Sequence, residues 1–162
     1  MPTEISGSTG VNKIQSSAIE YGDLPTGSVL QVIHDVDPTA ISLTSTSFTD
    51  TGLSAQITPK STSSKILISI NLMLQTGNNN ATWRALHAKI LRDTTGIYQS
   101  SDTHLGVHSA HASVGVSISH LDTPSTTSAI TYKVQIKGEN TAGIEYNHNG
   151  NHCQMTLTEI AG

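Results

Sequence analysis

Residues 65–74 alternate between apolar and mixed positions with a period of two. Every even position in this stretch is Ile or Leu, whereas Ser69, Asn71 and Met73 occupy odd positions. Successive side chains of a pleated strand point to opposite faces, so the pattern predicts a β-strand with one face in a hydrophobic core. A surface helix would instead repeat its apolar residues at i, i+3, i+4 and i+7.

Shorter β-prone segments recur along the chain and are separated by Gly, Pro, Asn and Asp, the residues that favour turns. They predict further strands at 27–33, 41–50, 53–57, 97–98, 114–118, 132–137 and 155–160, with turns at 35–38, 50–52, 77–80 and 93–96.

Residues 83–92 fit a short helix about as well as a strand. A strand is favoured because the neighbouring segments are strands and a hairpin across the Asn-rich turn at 77–80 is the shortest connection to residues 65–74. Eight or so short strands without a convincing helix predict an all-β protein, an antiparallel β-sandwich. A jelly-roll topology is the leading arrangement.

Residues 1–26 differ from the rest of the chain. Gly and Pro interrupt them, and their apolar residues are too widely spaced to form a core. We interpret them as an extended N-terminal arm that docks on a partner surface, followed by a β-sandwich domain at 27–162; a disordered terminus is the alternative. The side chains expected to attach the arm are Ile5, Val11, Ile14, Ile19, Tyr21 and Leu24.

The chain is poor in charge. Only 12% of its 162 residues are charged, about half the usual share, and the net charge is -4. Hydroxyl and amide side chains must therefore supply most of the solubility. The eight Lys and Arg residues are scattered, which argues against nucleic-acid binding, because that function needs clustered cations.

A single cysteine, Cys153, excludes an intrachain disulfide. It shares one face of a predicted strand with Met155 and Leu157, so we expect it to be a small core residue. No apolar run approaches the ~20 residues of a membrane span, and the N-terminus does not match a signal peptide. We expect a protein without a membrane span that is made in the cytoplasm.

Eight histidines are unusual in so uncharged a chain, and they concentrate at 104–111 and 148–152. Three copies of one histidine around a trimer axis could bind a transition metal. However, Asp102 and Glu145 are the only acids nearby, and on a strand His111 would point away from His104 and His108. Hydrogen-bonding histidines in loops or at a subunit interface are favoured, so we predict no metal site and no cofactor.

Catalytic patterns are weak as well. The chain contains no Gly-x-Ser-x-Gly motif, and its acids show no spacing that singles out a catalytic pair. We interpret the acids as turn residues and solvated positions, and we predict no catalytic residue and no enzymatic activity. The acids considered are Asp93, Asp102, Asp122, Glu139 and Glu145.

Four segments resemble a family of small bacteriophage virion proteins, the tail-fibre, head-fibre and capsid decoration proteins of marine and cyanobacterial phages. The segments are 27–32, 51–68, 121–135 and 156–160, and the resemblance covers most of residues 27–162. Residues 10–15 are similar to the N-terminal stretches of such proteins. The place on the particle, capsid or tail, stays open.

The resemblance implies a non-enzymatic virion protein. Such proteins are typically homotrimeric β-sandwiches, so the expected partners are its own copies and, through residues 1–26, other virion proteins of the capsid or tail. The alternative is a receptor-binding module that recognises host surface glycans through the loops at 77–82, 93–113 and 139–151.

The odd-numbered face of residues 65–74 predicts where copies meet. Leu67, Ser69, Asn71 and Met73 are too apolar for open water and too polar for a core. A face of this composition suits a subunit interface. We therefore expect the even side of this strand to face inward and the odd side to lie against a neighbouring chain.

Overall fold

The computed structural model describes residues 20–76, 84–100, 105–107, 113–138, 144–146 and 152–162. Within these ranges the chain forms one short 3-10 turn, Tyr21–Asp23, and eleven strands. The strands are β1 Val29–Asp37, β2 Ile41–Leu43, β3 Thr49–Ile57, β4 Lys65–Thr76, β5 Arg84–Arg92, β6 Thr95–Gln99, β7 Leu105–Val107, β8 Ser113–Asp122, β9 Ile130–Gly138, β10 Ile144–Tyr146 and β11 Cys153–Ile160. No helix in these ranges is long and apolar enough to cross a membrane.

The strands form two antiparallel sheets. In the first sheet, β4 pairs with β8 along one side, and with β11 and then β10 along the other side. β1 lies beyond β11, and β2 lies beyond β10. The second sheet has the order β3-β9-β5-β6, and β7 pairs with the start of β5. The prediction of an antiparallel β-sandwich is confirmed.

The eight principal strands pair as nested couples. In chain order they are β1, β3, β4, β5, β6, β8, β9 and β11; the first pairs with the last, the second with the seventh, the third with the sixth and the fourth with the fifth. This is one long hairpin rolled up so that β11 also meets β4 and β9 also meets β5. Such nesting defines a jelly roll, so the predicted topology is confirmed.

One core lies between the inner faces of the two sheets. β4 buries all its even positions from 66 to 74, as the period-two pattern predicted. Even positions of β9 and β5 face them from the other sheet, since Tyr132, Ile136 and Ile90 are at most 1% exposed. Full burial of each such side chain contributes about 1.5–3 kcal/mol. Cys153, Met155 and Leu157 are all buried, which confirms the core role predicted for the cysteine.

The predicted hairpin between residues 65–74 and 83–92 is wrong. Residues 84–92 do form a strand, β5, but β4 and β5 lie in opposite sheets. β4 buries its even positions and β5 buries Leu86, Ala88 and Ile90, and two apolar faces can cover each other only when the sheets stack face to face. The hairpin pairing expected between them is therefore not formed.

Two predicted turns are also wrong. β1 continues through Asp37, where a turn was expected at 35–38. The expected turn at 50–52 is a bulge inside β3, because residues 51–53 lie opposite Val134 alone. Thr51 Oγ1 donates a hydrogen bond to the Val134 carbonyl at 3.0 Å, and Gly52 has φ +91°, a backbone conformation that favours glycine.

The strand predicted at 41–50 is divided. β2 ends at Leu43 in the first sheet, and β3 begins at Thr49 in the second. Ser45 Oγ accepts a hydrogen bond from the Ser47 backbone at 3.0 Å, the short-range contact by which serine favours a turn over a strand. The hydroxyl-rich sequence between the two strands thus forms the crossover between the sheets.

Candidate subunit interface

The outer face of the first sheet combines four strands in continuous register. Its side chains form three rows across β1, β11, β4 and β8, and a shorter fourth row on β4 and β8. We name these residues the neutral face. The rows are Val32, Thr158, Leu67 and Leu121; His34, Thr156, Ser69 and Ser119; Val36, Gln154, Asn71 and Ser117; and Met73 with Gly115.

The neutral face contains no formally charged residue. Lys65 lies beyond one end of it on β4, and Glu145 lies beyond the other end on β10. Four strands about 4.8 Å apart and some nine residues long cover roughly 19 by 30 Å, or on the order of 600 Å². A standard protein interface covers about 800 Å² on each partner, so this face is of a comparable size.

Large apolar side chains are exposed on this face. Val32, Val36 and Leu121 are 56%, 38% and 49% exposed, and they are three of the five large exposed apolar residues in the described part of the chain. The four residues predicted for the subunit interface lie together on this face. Leu67, Ser69 and Met73 are half-buried within the single chain, and Asn71 is exposed.

Polar atoms on the neutral face bond to one another. Ser117 Oγ donates to Asn71 Oδ1 at 2.6 Å, and His34 Nδ1 lies 3.0 Å from Thr156 Oγ1. A polar group that already has a partner loses less free energy when water is removed from it. The face can therefore be covered by another protein at a modest desolvation cost.

The outer face of the second sheet has the opposite character. Lys89 of β5 and Lys133 and Lys137 of β9 point outward, and Asp50 of β3 lies beside them. The two outer surfaces of the sandwich are thus chemically distinct. Copies that met through the second sheet would bring these lysines together, and their charges would repel each other. The neutral face carries no charges, so two copies can meet there without this repulsion.

Sequence reasoning missed a partly buried ion pair that ties the two sheets together. Arg92 Nη1, at the end of β5, donates to both carboxylate oxygens of Asp122, at the end of β8, at 3.0 and 2.9 Å. Tyr132 OH donates to Asp122 Oδ2 at 2.7 Å. Burial raises the pKa of Tyr132, and the Asp122 hydrogen bond raises it further, so the phenol remains a neutral donor.

We interpreted the acids as turn residues and solvated positions, and for Asp122 this is wrong, because it is only 8% exposed. Two further acids are buried. Tyr146 OH donates to Asp37 Oδ2 at 3.2 Å, and burial, followed by the neighbouring Cys153 and Asp37, raises the pKa of Tyr146. Glu159 is fully buried and accepts a hydrogen bond from the Lys60 backbone at 2.6 Å.

The alternation of buried and exposed positions along each strand could have identified these buried acids from the sequence. Asp122 follows Val116 and Ile118 at even positions of β8, and Glu159 follows Met155 and Leu157 at odd positions of β11. An acid in register with core residues needs an internal partner, because an unpaired buried charge is costly. The partner itself lies on a different strand and is not visible in the local pattern.

Only two of the predicted arm contacts lie in the described residues. Tyr21 is in the 3-10 turn and is 49% exposed, with the Lys60 ammonium 5.3 Å from its ring centroid. Leu24 is half-buried. The backbone of Gly27 donates to the Ala161 carbonyl at 2.8 Å and joins the end of this segment to the sandwich. Ile5, Val11, Ile14 and Ile19 lie outside the described residues.

The histidine clusters fall mostly outside the described residues. His104, His108, His111 and His148 lie outside the described residues, and His152 is exposed just before β11. Among the described residues, no three His, Cys, Asp or Glu side chains are grouped to hold a metal ion. The prediction about these clusters stays a prediction.

Searches with this chain found no matching protein family and no matching curated protein. Solved structures do match its fold. A chain of the T13 IBDV viral particle aligns with 81% of this chain and 35% of its own length, at 13% identity and a TM-score of 0.48. The VP2 subviral particle of infectious bursal disease virus aligns with 82% and 37%, at 17% identity and a TM-score of 0.44.

A protein from a different source gives a similar match. Dimeric latent PorU from Porphyromonas gingivalis aligns with 85% of this chain and 14% of its own length, at 7% identity and a TM-score of 0.42. The chain spans about a third of the length of the viral chains it matches. The likeness to all three is one of strand arrangement alone.

Proposed function

We propose that this protein is a non-enzymatic structural component of a bacteriophage virion, a homotrimeric fibre or decoration protein fastened to the particle by residues 1–26. The observation that carries the proposal is the neutral face. The cores of protein interfaces are depleted in charged residues, and this face combines exposed Val and Leu with Ser and Thr that have no charge to desolvate.

The sequence resemblance to small phage virion proteins supports the same function. It covers strands of both sheets, because the resembling segments include parts of β1, β3, β4, β9 and β11. In this proposal the copies associate through the neutral face, and each contributes one arm. Three arms bound at once hold the assembly far more tightly than one arm does, since the second and third bind at high effective concentration.

Ser69→Lys is expected to dissociate the homotrimer. Ser69 lies near the centre of the neutral face, between Thr156 and Ser119, so every copy would bring an uncompensated charge into the interface. Light scattering behind size exclusion should give a trimer mass for the unaltered protein and a monomer mass for the variant at micromolar concentration. The association constant should fall at least tenfold.

Gln56→Lys is the matched control for this experiment. It adds the same charge to an exposed position on the outer face of the second sheet, where the trimer should tolerate it. The interface assignment is wrong if the unaltered protein is monomeric, or if both substitutions weaken association equally.

Deletion of residues 1–19 is expected to leave a folded trimer that no longer joins particles. The cut spares the Tyr21–Asp23 turn and its Lys60 contact, so the sandwich should keep its melting temperature. Incorporation is measured by the amount of tagged protein that co-sediments with phage particles. Normal incorporation of the truncated protein would refute attachment through residues 1–19.

The receptor-binding alternative stays a prediction, because most of its loops lie outside the described residues. Adsorption of phage to host cells in the presence of excess purified protein would test it separately.

A further inference from the structure

A group of lysines on the outer face of the second sheet is held in a defined arrangement. The ammonium groups of Lys89 and Lys137 lie 5.5 and 5.2 Å from the ring centroid of Phe48. These are cation–π distances, and the contact restrains lysine side chains that would otherwise move freely in water. We name Phe48, Lys89, Lys133 and Lys137 the lysine face.

Lys89 is restrained from a second side by Gly96. A Cβ atom at position 96 would lie only 2.6 Å from Lys89 Cε, so the lysine stem runs directly over the glycine. Gly96 belongs to β6, the neighbour of β5. The absence of a side chain at this position thus leaves the space that the Lys89 stem occupies.

A cleft opens beside the third lysine. The β3 bulge leaves a depression of about 220 Å³, and its lining residues are Asp50, Gly52, Leu53, Ser54, Lys133 and Val134. Asp50 Oδ1 accepts a hydrogen bond from Gln135 Nε2 at 2.8 Å. Asp93, at the turn after β5, accepts from the Thr131 backbone at 2.9 Å.

The three lysines have no ion-pair partner among the described residues. The ion pair found there joins Arg92 and Asp122 and includes none of these lysines. Lys133 and Lys137 lie four residues apart on β9, which separates their Cα atoms by about 13–14 Å. Carboxylates at alternate positions of an extended peptide repeat every ~7 Å and match this spacing. The net charge of the whole chain is -4, so this group of lysines is a positively charged region of an otherwise acidic protein.

We propose that the lysine face binds an extended acidic segment of a partner protein. Carboxylates of the segment pair with Lys89, Lys133 and Lys137, and one side chain of the segment enters the cleft. The proposal is independent of the neutral face, because the two surfaces are on opposite sides of the sandwich.

An acidic protein fits better than an anionic glycan or a nucleic acid. Sugars and bases bind to flat aromatic platforms, and the only aromatic ring of this face, Phe48, is already occupied by two ammonium groups. Tight nucleic-acid binding also needs more cations than the three present here. A carboxylate needs only the ammonium groups.

The test uses the full chain and a fluorescein-labelled peptide of alternating Glu and Thr, with binding measured by fluorescence anisotropy. We expect binding at about 50 mM salt that weakens at about 300 mM, because salt screens exposed charges. Lys89→Gln/Lys137→Gln should weaken binding about tenfold. The matched control, Lys60→Gln/Lys65→Gln, makes the same charge change away from this face and should leave binding unchanged.

Gly96→Ala tests whether binding depends on the position of the Lys89 ammonium as well as on its charge. It keeps every lysine but displaces the flexible end of Lys89, so we expect normal folding and weaker peptide binding. Equal losses in the two double variants, or no loss in Lys89→Gln/Lys137→Gln, would overturn the proposal. So would tighter binding of a heparin fragment or a single-stranded oligonucleotide than of the peptide. A protein that remains trimeric throughout shows that the neutral face is unaffected.

Discussion

Ile68→Ala is expected to lower the free energy of unfolding by about 3 kcal/mol. Ile68 is fully buried on β4, between β11 and β8 in the first sheet, and it faces the second sheet across the core. The shortened side chain leaves a cavity that the close-packed strands around it cannot fill. Urea denaturation followed by circular dichroism measures the loss, and the loss should not depend on protein concentration.

Leu67→Ala on the same strand is the matched control. Leu67 is half-buried on the neutral face, so its removal leaves the core intact. We expect a loss below about 1 kcal/mol in dilute monomer and a larger loss at concentrations where copies associate. If both substitutions cost the same at every concentration, the outer side of β4 is part of the core of one chain and not a surface between chains.

Asp122→Ala is expected to cost about 3 kcal/mol. The carboxylate accepts two hydrogen bonds from Arg92 and one from Tyr132, and its removal leaves a partly buried guanidinium and a fully buried phenol without their partner. These three side chains come from β8, β5 and β9, so the substitution also removes a contact between the two sheets. Chemical denaturation at neutral pH measures the loss.

Tyr132→Phe isolates one part of this network. It removes the single hydrogen bond and keeps the ion pair, so we expect a loss of about 1 kcal/mol. The double variant Arg92→Ala/Asp122→Ala should cost less than the sum of the two single variants by at least about 1 kcal/mol, because the arginine is no longer left unpaired. Additive losses would show that the ion pair contributes nothing to stability.

The candidate subunit interface shows which interface residues a local sequence pattern can identify and which it cannot. The odd positions of β4 could be recognised as a separate face from their composition, and the structure shows that they do share an outer surface. Val32 and Val36 of β1 and Leu121 of β8 extend that surface but come from distant parts of the chain. Their contribution depends on strand order, which composition does not reveal.

The lysine face illustrates the same limit. Lys133 and Lys137 are visibly on one side of β9, but Phe48 and Lys89 reach them from a crossover segment and from another strand. In sequence the eight Lys and Arg residues look scattered, and the fold brings three of them to one face.

The sequence by itself determined where most of the strands lie, which side of a strand such as β4 is buried, and that the chain folds as a β-sandwich. These properties follow from a period of two within a few neighbouring residues, as in residues 66–74. Only the tertiary structure decided that β4 and β5 lie in opposite sheets, that residues 51–53 are a bulge, and that Asp122 is buried against Arg92. Each of these depends on contacts between segments far apart in the chain, and an alternating strand fits several partners equally well until the whole sandwich closes around one core.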